Sequence, residues 1–247
     1  MRFAMSYRIF TSSIWLSIAL SLALSLPGAA RSSPNQHVAV AEQLVDRLSL
    51  DNTDYAHGQG SVDWTAPVSS HTDCSGFIDH LLMHVDGYTP DDFKRWFGSH
   101  RPTAERYHDA IVEERGFQAV RSIEELRPGD VIAIKYLTRH DNTGHIMLVV
   151  GAPRRMASSA PLVDGTSQWE VTVIDSSESG HGPSDTRHKR GADGRDHDGL
   201  GRGVVRLYGG PHGDVAGFAW STTKASRFVA LEDEHVVLGR FIPGFRP

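Results

Sequence analysis

His71-Thr72-Asp73-Cys74-Ser75-Gly76-Phe77 carries the only cysteine in the chain. Beyond it Phe77, Ile78, Leu81, Leu82 and Val85 recur at helical spacing, and Gly87 is a plausible stop. Asp73 is a good N-cap for that helix, so Cys74 falls in its first turn. A thiol attacks only as the thiolate, which a helix N-terminus and a nearby proton acceptor both favour. Ser75 and Gly76 allow close backbone approach, and the N–H groups of a first turn point at any oxyanion formed on an attacked carbonyl. The competing reading of Cys74 is a small buried hydrophobe; these neighbours favour the nucleophile.

The start of the chain reads as an export signal over residues 1–30. Arg2 and Arg8 precede an apolar run from Ile14 to Leu24, and Pro27-Gly28-Ala29-Ala30 ends it in small residues. A retained membrane anchor is the alternative, but serines and Pro27 keep the run short of the roughly 20 apolar residues a span needs. An exported or periplasmic protein with one cysteine cannot close an internal disulfide, which again leaves the thiol available for chemistry. After that segment, residues 31–247 suffice for one domain with its own core. A net charge of -5 and a pI near 6.3 argue against a nucleic-acid binder. No second apolar run is long enough to span a bilayer.

Residues 38–48 have a helical apolar stripe, and 51–60 read as a polar loop. Short helices are expected at 90–97 and 102–114. The period then changes. Residues 122–130 read as a capped turn of helix and a tight turn, and 131–136, 144–151 and 169–175 read as strands. Residues 176–203, rich in Gly, Ser, Asp, His and Arg, read as a long surface loop, with 204–207 and 228–241 returning to a sheet edge. Helices followed by short antiparallel strands give an α+β class.

A thiolate needs a base. His145 opens an apolar strand after Gly144, where it would face a cleft; a solvated or hydrogen-bonded structural histidine is the alternative. A third polar group would hold the imidazole in its useful tautomer, and Asp175, ending the next expected strand, is the best placed. Otherwise Asp175 is a turn-former at the head of the loop.

Three blocks now stand in order: Asp73-Cys74-Ser75-Gly76-Phe77, Leu126-Arg127-Pro128-Gly129-Asp130-Val131-Ile132 and Gly144-His145-Ile146-Met147-Leu148-Val149-Val150-Gly151. They resemble the signature blocks of the NlpC/P60 family of cell-wall cysteine peptidases, and Tyr55-Ala56-His57-Gly58 resembles its tyrosine block. The resemblance spans about residues 55–175. It implies a papain-like fold, with the nucleophile helix packed on a small antiparallel sheet. It also implies hydrolysis of amide bonds in peptidoglycan stem peptides through an acyl-enzyme. On that resemblance Cys74 is nucleophile, His145 general base and acid, Asp175 the imidazole orienter, and Tyr55, with Asp73 and Ser75, a substrate or oxyanion contact. The chain departs from the family in an inserted, charged segment at about 87–121, in an Asp where His, Asn or Gln is more usual, and in some seventy residues beyond Asp175.

Thiol chemistry calls for no cofactor. His181, His188 and His197 with Asp185, Asp193, Asp196 and Asp198 match no zinc spacing, so no metal is expected. The same loop could close over the cleft on Gly180, Gly182 and Gly199, offering Arg187 and Arg190 to a substrate carboxylate. Gly199-Leu200-Gly201-Arg202-Gly203 lacks the Lys-Ser/Thr of a phosphate loop and reads as a turn. Trp96, Phe97, Phe218 and Trp220 read as core rather than a substrate wall. Two rivals to wall hydrolysis remain: an amidase or acyltransferase of this fold acting on a non-wall amide or ester, and a catalytically silent wall-binding protein. Intact Cys74 and His145 speak against the second.

Overall fold

Asp73 is extended (φ -82°, ψ 179°) and its carboxylate accepts the Gly76 N–H, so the helix α2 starts at Cys74 and runs to Asp86. Gly87, at φ +69°, ends it in the left-handed conformation that glycine adopts without a Cβ clash. The computed structural model describes residues 34–247 except 59, 140–141 and 191–196, together with the side chains of these residues other than 34, 189 and 190. The expected export signal lies outside the described residues. Among those described, no helix is long and apolar enough to cross a membrane.

The elements follow in chain order. α1 (Pro34–Arg47) leads through a short 3-10 turn into β1 (Thr53–Tyr55), β2 (Ser61–Asp63) and β3 (Ser69–Thr72), then α2. α3 (Pro90–Phe97) and α4 (Ala104–Val112) precede β4 (Phe117–Val120), β5 (Val131–Tyr136), β6 (Gly144–Val149), β7 (Arg154–Arg155) and β8 (Ser167–Ser177). α5 (Thr186–Arg190), β9 (Gly199–Gly209), β10 (Val215–Ala219), β11 (Phe228–Ala230) and β12 (Glu234–Phe241) complete the order. α3 begins with a capping box, Thr89 with Asp92, and Pro90 at its first position.

β1, β3 and β2 form a small sheet, with β1 parallel to β3. The main sheet has nine strands in the order β11-β10-β9-β8-β6-β5-β12-β4, with β7 on β8. It is far larger than the small sheet expected, because β8 and β9 pair over eleven residues each, from Ser167 opposite Gly209 to Ser177 opposite Gly199. That long ladder runs through residues read as surface loop. Residues 204–207 and 234–241 are not edges either: β9 lies between β10 and β8, and β12 between β5 and β4.

Both faces of the sheet are buried. On β5, Val131 and Ala133 meet the helices with Ile146, Leu148, Ile174 and the α2 residues Phe77, Ile78 and Leu81. Ile132 and Ile134 point the other way, into a second core with Met147, Val171, Val205, Phe218 and Leu238. β10 and β11 reach β12 across this second core, so the sheet curls around it. Two-sided burial explains why β5 and β6 are apolar at successive positions rather than alternating. Trp96 and Phe97 are core, as expected: Trp96 stacks on Phe97 at 4.5 Å and packs on Phe117 and Phe245.

Candidate active site

α2 places Cys74 at its first position, 4% exposed, and packs its apolar face on β6 and β8. The cap uses Gly76 N–H on the Asp73 carboxylate and Phe77 N–H on the Asp73 carbonyl. The N–H groups of Cys74 and Ser75 lie outside those two bonds, at the positive end of the helix. β6 starts at Gly144, and His145, on its second residue, interacts with Cys74. The His145 Nε2 sits 2.6 Å from Asp175 Oδ2, which leaves Nδ1 for the thiol. β6 and β8 are adjacent antiparallel strands, paired at Leu148–Ile174 and Val149–Val173, which places His145 and Asp175 on neighbouring strands.

His145 is buried, which alone would lower the pKa of its imidazole. The negative charge at Cys74 and the hydrogen bond to Asp175 outweigh that, and the pKa is pushed up to about 10. Asp175 is fully buried, which would raise its pKa. Arg187, His181 and the bond from His145 hold it well below the usual carboxylate range.

The partners of Asp175 come from the stretch read as a surface loop. Arg187 lies 2.9 Å from Asp175 Oδ1 and 2.8 Å from Asp185 Oδ2, and all three side chains have zero exposure. Arg187 also donates to Ser177 Oγ and, at 3.2 Å, to the Gly199 carbonyl. The His181 ring joins the Trp220 carbonyl at 2.7 Å to Asp175 Oδ1 at 3.1 Å. Both His181 partners are hydrogen-bond acceptors. The Arg187 guanidinium bridges both carboxylates, and His145 faces an ionised Asp175 in a buried interior.

This corrects three readings. Ser176, Ser177, His181, Asp185 and Arg187 are buried and hydrogen-bonded within the fold, while Glu178, Ser179, Pro183 and Ser184 are exposed as the loop reading expects. Arg187 is not available to substrate; the Arg190 side chain lies outside the described residues. The glycines of 199–203 belong to β9 rather than a turn. A Cβ on Gly201 would overlap the Arg187 side chain, and one on Gly203 would overlap Asp185 and His181. They are small so that the ionic cluster fits.

Two hollows that share Tyr55 and Asn142 lie at the site. One, about 130 Å³, is lined by Tyr55, His57, Asp73, Cys74, Arg101 and Asn142, among others. The other, about 210 Å³, is lined by Tyr55, Tyr136, Arg139, His145, Glu178 and Trp220, among others. Tyr55 borders both. Burial, then the charges at Cys74 and Asp73, raise its phenol far above the ordinary value, so it faces Cys74 as a hydroxyl donor. Trp220, expected in the core, is half-buried against the second core and also borders the hollow, its ring 4.9 Å from that of His145 and 4.3 Å from that of His181. The Asp73 carboxylate is occupied by the cap, by Ser75 Oγ at 3.2 Å and by Arg101. As an acceptor it cannot steady an oxyanion. Arg101 was not anticipated, and no spacing in the sequence points to it.

The profile described as the NlpC/P60 family matches residues 52–172 of this chain. A curated protein of Acanthamoeba polyphaga mimivirus, "Uncharacterized protein R653", is 36% identical over 215 residues, covering 81% of this chain and 93% of that protein. The chain belongs to the NlpC/P60 family. That family is one of cysteine peptidases and amidases, generally hydrolases. No solved structure matches this chain. The family match takes in Cys74 and His145 and stops short of Asp175, His181 and Arg187. The match to the mimivirus protein extends beyond those limits, since it covers far more of the chain than 52–172.

Proposed function

We propose that this NlpC/P60 chain is an exported cysteine hydrolase that cleaves amide bonds in peptidoglycan stem peptides. The observation that carries the reading is one hydrogen-bonded line: Cys74 at a helix N-terminus, His145 beside it, and a buried, ionised Asp175 on the far ring nitrogen. In this reading the Cys74 Sγ attacks the carbonyl carbon and the carbonyl π pair moves to oxygen. The Cys74 and Ser75 N–H groups and the Tyr55 hydroxyl would donate to that oxyanion. His145 gives its proton to the leaving nitrogen as the C–N bond breaks, leaving a thioester. It then takes a proton from water; the resulting hydroxide equivalent attacks the thioester, and the thiolate departs. Asp175 keeps the ring's Nε2–H fixed throughout.

The test is to incubate purified protein with muropeptides and read the product masses. Wild type should cut, and Cys74→Ala should lose at least about 10³-fold of that rate. Muropeptides left intact by a protein whose Cys74 is readily alkylated would direct the search to another amide or ester. That second reading is favoured by one feature: segment 87–121 brings Arg101, Thr103 and Ala104 into the nucleophile's hollow.

A further inference from the structure

The hollow beside Cys74 holds a cation that the acyl-transfer chemistry does not use. Arg101 lies between α3 and α4, where its backbone is tied to Ser99 Oγ. Its guanidinium crosses to Asp73, and the nearer terminal nitrogen would lie 3.6 Å from a Cβ built on Gly76, against the first turn of α2. The two members of this ion pair are unequally exposed: the Asp73 side chain is 8% exposed and that of Arg101 31%. A ligand entering the hollow therefore meets the guanidinium, not the carboxylate.

Two more groups on this side can donate. His57 Nδ1 approaches Asp73 Oδ2 at 3.4 Å while its ring is 66% exposed, and the Tyr55 hydroxyl is a donor. Among the described residues, Asp73 is the only carboxylate lining this hollow, and it already accepts from Gly76, Ser75 and Arg101. It has little left to offer a substrate ammonium. Glu178 borders the other hollow, on the far side of Tyr55.

We infer that Arg101 is a specificity-determining residue, and that the Cys74 hollow selects acyl substrates carrying a carboxylate near the scissile bond over their amidated or cationic counterparts. The inference rests on Cys74 being the nucleophile. The donor geometry suits a carboxylate, and a half-buried guanidinium is weakly hydrated enough to bind one.

Iodoacetate and iodoacetamide are a matched pair, differing in a carboxylate against a carboxamide, and both alkylate Cys74 without any assumption about substrate. The purified chain is treated with each at low ionic strength, and the ratio of the two rates is compared between variants. Arg101→Gln should lower the iodoacetate-to-iodoacetamide ratio roughly fivefold, and Arg101→Lys should keep it within about twofold of wild type. An unchanged ratio in folded Arg101→Gln overturns the inference. Should that variant fail to fold, salt decides. Arg101 is partly exposed and is screened, whereas buried His145 is screened much less. A wild-type ratio that falls as salt rises supports Arg101, and a flat one overturns it. Cys74 reacting with both reagents no faster than an unstructured thiol would instead sink the nucleophile reading itself. With a cleaved peptide in hand, Arg101→Gln should raise KM for the carboxylate form severalfold while kcat holds.

Discussion

Asp73 and Asp175 flank the same thiol–imidazole pair, and each holds an arginine. The Asp175–Arg187 pair has zero exposure and is closed in by Asp185, His181, Ser177 and the β9 glycines. The Asp73–Arg101 pair lies at the wall of an open hollow, with its cation half in water. The same two residue types thus do different work. In a sealed interior a charge must have its partners, so the inner pair is rigid and sets the direction of His145. At the rim the solvent forgives a missing partner, so the outer pair is free to be spent on recognition.

The largest expected effect comes from neutralising the inner carboxylate. Asp175→Asn should lower kcat/KM by roughly 10² to 10⁴-fold, because the imidazole loses its orienting charge; rates normalised to alkylatable Cys74 correct for any unfolded fraction. The pH profile should move with it. His145 keeps its proton up to about pH 10 in wild type, so the alkaline limb of kcat/KM belongs near there. Removing the Asp175 contribution should shift that limb to lower pH. A limb already at 6.5 in wild type would break the picture of a charge-supported imidazolium.

Next comes the inner arginine. Arg187→Gln strands two buried carboxylates, at a cost of about 3–5 kcal/mol, or a melting temperature lower by on the order of 10 °C for a chain of this size. Thermal and urea unfolding would show it. A melting point within a degree or two of wild type would mean that the cluster does not hold this region.

Stability against pH gives a third measure. Because the folded pKa of His145 is raised, its contribution is complete below the unfolded value of 6.5 and is lost as pH rises through about 10. Asp175 works in the opposite sense: its contribution stands above the unfolded value of 3.8 and disappears as pH falls through its depressed folded value. Melting temperatures should therefore decline on both sides. In Asp175→Asn the alkaline decline should begin at lower pH, and an identical profile would contradict the coupling.

The smallest effect belongs to the rim. Arg101→Gln should cost no more than about 1 kcal/mol of stability, since its side chain is nearly a third exposed and screened. A loss as large as that of Arg187→Gln would erase the distinction between the two pairs.

The local parts of this architecture were legible in order. The cap at Asp73, the stop at Gly87, the short helix at 90–97, the strand at 131–136 and, but for its last two residues, the strand read at 144–151 all follow from neighbours a few residues apart. Asp175 was read as a strand end, whereas β8 runs on to Ser177; what was legible is that it lies on a strand next to that of His145. The part of 176–203 that surrounds Asp175 was misread for a definite reason. Gly, Asp, His and Arg in series are the composition of a solvated loop, and nothing in their order says that His181, Asp185 and Arg187 satisfy one another around Asp175. Arg101 was illegible for a related reason: its partner is in α2, and only the packing of segment 87–121 against that helix brings the two together.

What the sequence by itself determined is the reactive unit: one thiol, its helix, its cap, and a histidine at the head of an apolar strand. Those are set by backbone hydrogen bonding and side-chain periodicity, which act over a few residues. Only the tertiary structure decided which charges are sealed and which are presented. That choice depends on the dielectric around each group, and burial is a property of the whole packed chain.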